Sequence, residues 1–303
     1  MGLPSGRQIE LRRGDQRAVV VEAGGGLCEY VAGGRQVLDG FAPGEMAIGG
    51  RGQPLLPWPN RLEDGRYHFG GRDLQAPIDE PATGCAIHGL TRWLNWTPIE
   101  QADDRATMAL ILHPQPGYPF SLDLEIRYAL GDEGLTVETQ AVNLGDADLP
   151  FGAGQHPYLA AGAGLVDDLT LRLPGSLRLE MDERGLPTGR RLDVGGTDYD
   201  FRFPRLVGGL VLDTCFTGLD RDGAGRASVE VRRADATGAT LWVDTAYPYL
   251  MVFSGDTLAP ARRRRGLAVE PMTCPPNAFR TGEGLRVLAP GDRLTVAWGI
   301  RPS

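Results

Sequence analysis

Four histidines and a few well-placed carboxylates are the groups of this 303-residue chain best suited to moving protons near neutral pH. His88 lies in Ala86-Ile87-His88-Gly89-Leu90, where the glycine lets backbone come close to a ligand, and Arg92, Trp93 and Trp96 follow it. His156 follows Phe151-Gly152-Ala153-Gly154-Gln155 and precedes Pro157-Tyr158, so its loop is expected to be stiff. His68 and His113 have no such setting and are read as structural. Glu270 lies in Leu267-Ala268-Val269-Glu270-Pro271-Met272-Thr273, and is expected to end an apolar strand and enter a proline-locked loop that holds one charge in a fixed direction. Asp213, in Val211-Leu212-Asp213-Thr214-Cys215-Phe216, either caps a turn or binds a pair of hydroxyls. The segment Gln53-Pro54-Leu55-Leu56-Pro57-Trp58-Pro59-Asn60-Arg61 sets a ring, an amide and a guanidinium on one constrained turn. Sugars need flat apolar faces for their C–H surfaces and planar donors for their hydroxyls, which these three side chains could supply; the alternative is a packing corner. Taken singly, each histidine reads first as structural and Glu270 as a solvated strand end.

The elements that must position these groups read as strands. Leu122, Leu124, Ile126 and Tyr128 alternate with Asp123, Glu125 and Arg127, and Leu135, Val137 and Thr139 with Thr136, Glu138 and Gln140. Between them Gly131-Asp132-Glu133-Gly134 is a plausible hairpin turn. The pattern returns at Val229 to Arg233, Ala239 to Thr245, and Leu294, Val296 and Trp298. The 43 glycines and 23 prolines leave little room for long helices. No linker or repeat divides the chain, so the expectation is an all-β fold, one large antiparallel β-sandwich domain over residues 1–303.

Composition removes several chemistries. All 31 basic residues are arginine, so there is no lysine for a Schiff base or a P-loop, which excludes pyridoxal-phosphate enzymes, lysine-dependent aldolases and ordinary P-loop NTPases. A net charge of -8, spread along the chain, argues against nucleic acid or an anionic membrane as a partner. Cys28, Cys85, Cys215 and Cys274 form no CxxC pair and read as buried free thiols. No signal-peptide core or long apolar run appears, so a cytoplasmic location is expected. The run Arg262 to Arg265 reads as a solvated loop after Pro260, with a place at the rim of the site left open.

In this order, Asn60-Arg61, His88-Gly89, His156-Pro157-Tyr158, Asp213 with Phe216, and Glu270 resemble the aldose 1-epimerases, or galactose mutarotases, along nearly the whole chain. The likeness is to a bacterial branch with Pro-Trp-Pro-Asn-Arg, Ile-His-Gly-Leu and Glu-Pro-Met-Thr. Pro271-Met272 stands where galactose mutarotases proper have Thr-Gln after the glutamate, and Leu159 where they have Phe. The resemblance implies a super-β-sandwich, Glu270 as general base, His156 as general acid, and Arg61, His88 and Asp213 on the ring oxygen and hydroxyls. Trp58 and Tyr158 would join them, with Asn60 either binding sugar or positioning Arg61.

Ring opening removes the proton of O1 while O5 is protonated, so two groups of opposite protonation state must flank the anomeric carbon. Since only C1–O5 and O–H bonds change, the resemblance implies no metal and no cofactor. A monosaccharide is the implied partner, for a monomer or homodimer. For His156 to act as acid its protonated form must be stabilised, by Asp213 or Glu270. Three rivals share the residues. A glycoside hydrolase would use Asp213 and Glu270 but leaves His156 unused. A sugar-binding protein would keep the cleft without turnover. The same epimerase could act on a phosphorylated or sulfonated sugar, received by Arg92 or Arg262 to Arg265.

Overall fold

Residues 2–303 are described in a computed structural model. The expected hairpin forms, with Leu122–Gly131 paired antiparallel to Gly134–Asn143 from Leu122 opposite Asn143 to Gly131 opposite Gly134. Leu122, Leu124, Ile126 and Tyr128 are fully buried while Arg127 faces water. Each such apolar burial is worth roughly 1.5–3 kcal/mol, and a one-residue slip would turn the whole set outward, so the alternation sets the register.

This hairpin is the middle of a nine-stranded sheet. Its order is Thr97–Gln101, Arg105–Leu112, Leu122–Gly131, Gly134–Asn143, Arg293–Pro302, Gly238–Val243, Ala227–Arg232, Thr170–Arg172 and Arg205–Leu206. An eight-stranded sheet runs Pro187–Asp193, Gly175–Met181, Asp213–Leu219, Tyr249–Phe253, Gly266–Met272, Gly154–Gln155 and Pro54–Leu55, with Tyr158–Ala160 also on Gly266–Met272. Pairing within both is antiparallel. Tyr128, Val137, Leu241 and Trp298 of the first sheet and Phe216, Leu250, Val252, Leu267 and Val269 of the second belong to one apolar cluster, the filling of a β-sandwich. Among the described residues helix is confined to Ala278–Thr281 and the 3-10 turns Ile48–Gly50 and Val166–Asp168.

The second sheet places the candidate acid-base pair. Its strand Gly266–Met272 turns Leu267 and Val269 into the core, so the period of two sends Glu270 to the opposite face. There Glu270 stands opposite Met251, itself opposite Cys215, beside a second buried cluster of Leu179, Cys215, Tyr249, Met251 and Met272. Glu270 is therefore inside a strand and 2% exposed, not at a strand end before a loop as its sequence context suggests.

Proline is unusual in a central strand because it lacks a ladder donor. Val269 N–H donates to Pro157 O, so the missing donor of Pro271, two residues on, faces the same side. On that side the neighbour is broken between Gly154–Gln155 and Tyr158–Ala160. The break is where His156 leaves the ladder.

Candidate active site

His156 Nε2 lies 3.3 Å from Glu270 Oε1, and both residues are almost wholly buried, at 4% and 2% exposure. Glu270 Oε2 and His156 Nδ1 are buried without a hydrogen-bond partner. Burial, reinforced by the charge of Asp213, pushes the Glu270 carboxyl well above its ordinary pKa, with Arg61 opposing. Burial, followed by the charges of Arg51 and Arg92, pulls His156 down to about 3. Both shifts favour the uncharged forms, a protonated carboxyl beside a neutral imidazole. The expectation that Asp213 or Glu270 would stabilise the imidazolium is not met, since burial and the charges of Arg51 and Arg92 both disfavour it.

A segment far away in sequence grips the histidine. His156 N–H donates to Gln53 O, and Gly52 N–H to His156 O. Gly50 has φ +70, and a Cβ there would stand 2.5 Å from His156 Cδ2. The His156 ring stacks on Tyr158, with centroids 4.9 Å apart and planes 11° off parallel. Arg51 lies over the other part of this stack, its guanidinium 3.9 Å from the Tyr158 centroid, with Nη1 on the Asp39 carboxylate at 2.6 Å. Tyr158 OH donates to Gly49 O. Tyr158 therefore orients His156, where the sequence suggested a sugar contact.

His88 completes a trio, with its ring centroid 5.3 Å from that of His156 at 75°. It donates its N–H to Asn60 O, and its Nδ1 accepts the Asn60 N–H at 3.1 Å. Asn60 and His88 both sit at positive φ, 57° and 62°, a conformation that this reciprocal pair holds in place. Burial and the charges of Arg92, His156 and Arg61 hold His88 well below its usual pKa, so its ring is neutral. His88, His156 and Glu270 bring three potential ligand atoms within 4.8 Å of one another, a set of the kind that binds a divalent metal. With Nδ1 accepting, however, His88 carries its proton on Nε2 and offers a donor there, not a lone pair. That suits a sugar oxygen better than a metal. Gly89 is needed for backbone approach, but within the chain: a Cβ on it would stand 2.0 Å from Leu56 O.

Asn60 Oδ1 accepts the Arg61 N–H, so Asn60 positions its neighbours through both backbone and side chain. Arg61 makes a two-pronged pair with Glu80, Nε to Oε2 at 2.7 Å and Nη2 to Oε1 at 3.0 Å, and its Nη1 is 3.7 Å from Asp213 Oδ2. The Asp213 side chain is 46% exposed, yet neighbouring groups surround it closely enough for burial to raise its pKa, with Arg61 opposing. Arg92 pairs with Asp79 and bonds Ile87 O.

Other expectations are corrected. Trp58 is 3% exposed and packs on Phe279 at 5.2 Å, which makes Pro57-Trp58-Pro59 a packing corner. The arginine run is no solvated loop throughout. Arg264 is buried and bonded to Asp167, Asp256 and two carbonyls, and Arg262 pairs with Asp39 and Glu45, while Arg263 and Arg265 are exposed. His68 and His113, read as structural, lie exposed at the surface, and the four cysteines are buried free thiols, as read. Missed were Ile48 to Gln53 and the acids Asp79 and Glu80. Gly49-Gly50-Arg51-Gly52 was the available signal, since a run of glycines around one charge marks close backbone approach.

Comparison with known proteins places this geometry. The chain is 34% identical over 288 residues to the uncharacterized protein YihR of Escherichia coli (strain K12), covering 95% of this chain and 90% of that one. It is 26% identical to the galactose mutarotase of Mus musculus over 70% of this chain and 64% of the other. A solved structure of a putative aldose 1-epimerase from Escherichia coli K12 superposes with a TM-score of 0.83 at 21% identity over 98% of this chain and 99% of that one. A GalM/aldose epimerase homologue from C. elegans gives 0.86 at 18% identity over 98% of both, and these two likenesses are of fold. The family model described as aldose 1-epimerase matches residues 7–301, and the chain belongs to the aldose 1-epimerase family.

Proposed function

We propose that the protein is an aldose 1-epimerase that interconverts the α and β anomers of a free aldose with Glu270 and His156 as its acid-base pair. The observation that carries this is the buried 3.3 Å approach of His156 Nε2 to Glu270 Oε1, with one further atom of each group left without a partner. Structural ion pairs are satisfied by their surroundings; this one has donor and acceptor capacity in reserve.

The single proton of the pair supplies both halves of the reaction. With that proton transferred across the 3.3 Å gap to His156, Glu270 takes the proton of O1 while His156 delivers its own to O5. The C1–O5 bond breaks, C1 becomes an aldehyde carbon, and the carboxyl and neutral imidazole are left. Rotation about C1–C2 and the reverse transfers close the other anomer. His88 donates Nε2–H to a sugar oxygen, and Arg61 Nη1 and Asp213 hold hydroxyls. A hydrolase using Asp213 and Glu270 would leave unexplained why His156 is held against Glu270.

An anionic aldose is the second reading, favoured by Arg51, whose Nε and Nη2 are buried without acceptors one ring away from His156. Decay of optical rotation, or anomeric exchange by NMR, is measured for fresh neutral aldoses and for glucose 6-phosphate as the anionic probe. Acceleration of a neutral aldose is the expected result. Acceleration of the phosphate alone moves the substrate to the second reading, release of sugar from a nitrophenyl glycoside would make the protein a hydrolase, and binding without acceleration removes the catalytic reading.

A further inference from the structure

Arg61 reaches the site with little freedom. Its side chain is 14% exposed, and two of its three nitrogens are taken by Glu80. Glu80 is itself fixed: its N–H donates to Cys85 O, Cys85 N–H donates to its carbonyl, and Thr83 Oγ1 donates to its Oε2. The strand Arg61–Glu63 pairs with Cys85–Ile87, so the turn bearing Glu80 and the arginine it holds are parts of one small ladder. From the other side Gly185, at φ +71, passes so close that a Cβ would stand 2.3 Å from Arg61 Nη1. Arg61 Nη1 alone remains, beside Asp213.

We propose that Glu80 is a positioning residue for substrate binding, occupying Nε and Nη2 of Arg61 so that Nη1 is aimed at a sugar hydroxyl shared with Asp213. This rests on Arg61 and Asp213 being the hydroxyl-binding side of the epimerase described above. A carboxylate satisfies both prongs of the guanidinium, whereas an amide of the same shape turns an N–H against one of them. Loss of the clamp lets the guanidinium swing away from the hydroxyl. The clamp contacts neither Glu270 nor His156, and Arg61 keeps its charge, so the larger effect falls on sugar binding.

The test is KM and kcat of mutarotation for wild type, Glu80→Gln, Arg61→Met and the double variant, with the aldose that wild type turns over fastest. Glu80→Gln is expected to raise KM about tenfold with kcat within about threefold, and to add nothing once Arg61 is Met, because the group it positions is gone. Thr83→Val should move KM in the same direction by less. An unchanged KM in Glu80→Gln, or the same factor in the Arg61→Met background, overturns the proposal. Should Glu80→Gln not fold, Glu80→Asp, which keeps the charge but withdraws it by one methylene, takes its place under the same two criteria. Turnover by wild type without this coupling overturns the role of Glu80 and leaves the epimerase standing; no turnover of any aldose by wild type overturns the epimerase itself.

Discussion

Two regions of this molecule bury charge, and they do it in opposite ways. Arg264, 8% exposed, gives every guanidinium nitrogen an acceptor: Asp167, Asp256, and the carbonyls of Leu210 and Gly208. His156 and Glu270 are buried as deeply, yet each keeps an atom with no partner and is driven toward its uncharged form. A satisfied buried charge ties segments together, here residues near 167, 208 and 256. An unsatisfied pair with perturbed acidity keeps hydrogen-bonding capacity that its own surroundings do not use. The contrast separates two groups of residues that the sequence lists only as arginines, a histidine and a glutamate.

The sharpest break would come at the pair. Glu270→Gln and His156→Asn are each expected to lower mutarotation by at least about a hundredfold, the usual range for a general acid or base, with the fold intact by circular dichroism. Near-normal rates in either variant would make this pair structural, like Arg264.

Arg264→Ala should show the reverse. It leaves Asp167 and Asp256 without their partner and costs about 2–3 kcal/mol, below the value for a fully dry pair because both acids are partly exposed. Turnover per folded molecule should stay within about twofold of wild type. Denaturant midpoints and active-fraction rates check this, and a large loss of kcat without a loss of stability would erase the distinction.

Stability against pH gives a smaller, signed effect. The Glu270 pKa is raised on folding, so between the ordinary value near 4.3 and the raised one the unfolded chain has lost a proton that the folded chain keeps. Wild-type stability from this group is complete below pH about 4 and is lost as pH rises through the folded pKa. Glu270→Gln has no such proton. Its melting temperature relative to wild type should therefore rise as pH increases from about 4 through neutrality. Parallel curves for the two proteins would mean that Glu270 is not held protonated.

The smallest effect is expected at Trp58. Buried and packed on Phe279, it should tolerate phenylalanine with KM within about twofold and a modest loss of thermal stability. A large rise in KM would return it to the sugar-binding set.

The strands were legible because their signal is local. Leu122 to Tyr128 and Leu135 to Thr139 declare their buried faces every second residue, and Gly131 to Gly134 turns between them as read. His156 and Glu270 were legible as members of an ordered set of motifs. Their setting was not, because Gly50, Arg51 and Gln53 reach His156 across about a hundred residues, and a contact at that separation leaves no periodicity in the chain. Glu80 was passed over for the same reason, its partner Asp213 by way of Arg61 lying on a different sheet.

By itself, the sequence determined the all-β class and the absence of lysine chemistry, and it nominated Glu270 and His156 as the candidate acid-base pair. Period two decided which face Glu270 would share, since Val269 had to go inward. Tertiary structure alone decided that the neighbouring ladder breaks opposite Pro271, that His156 enters through this break, and that burial drives both members of the pair toward their uncharged forms. Protonation follows from how much water surrounding elements exclude and where distant arginines stand, and neither is written in the order of residues.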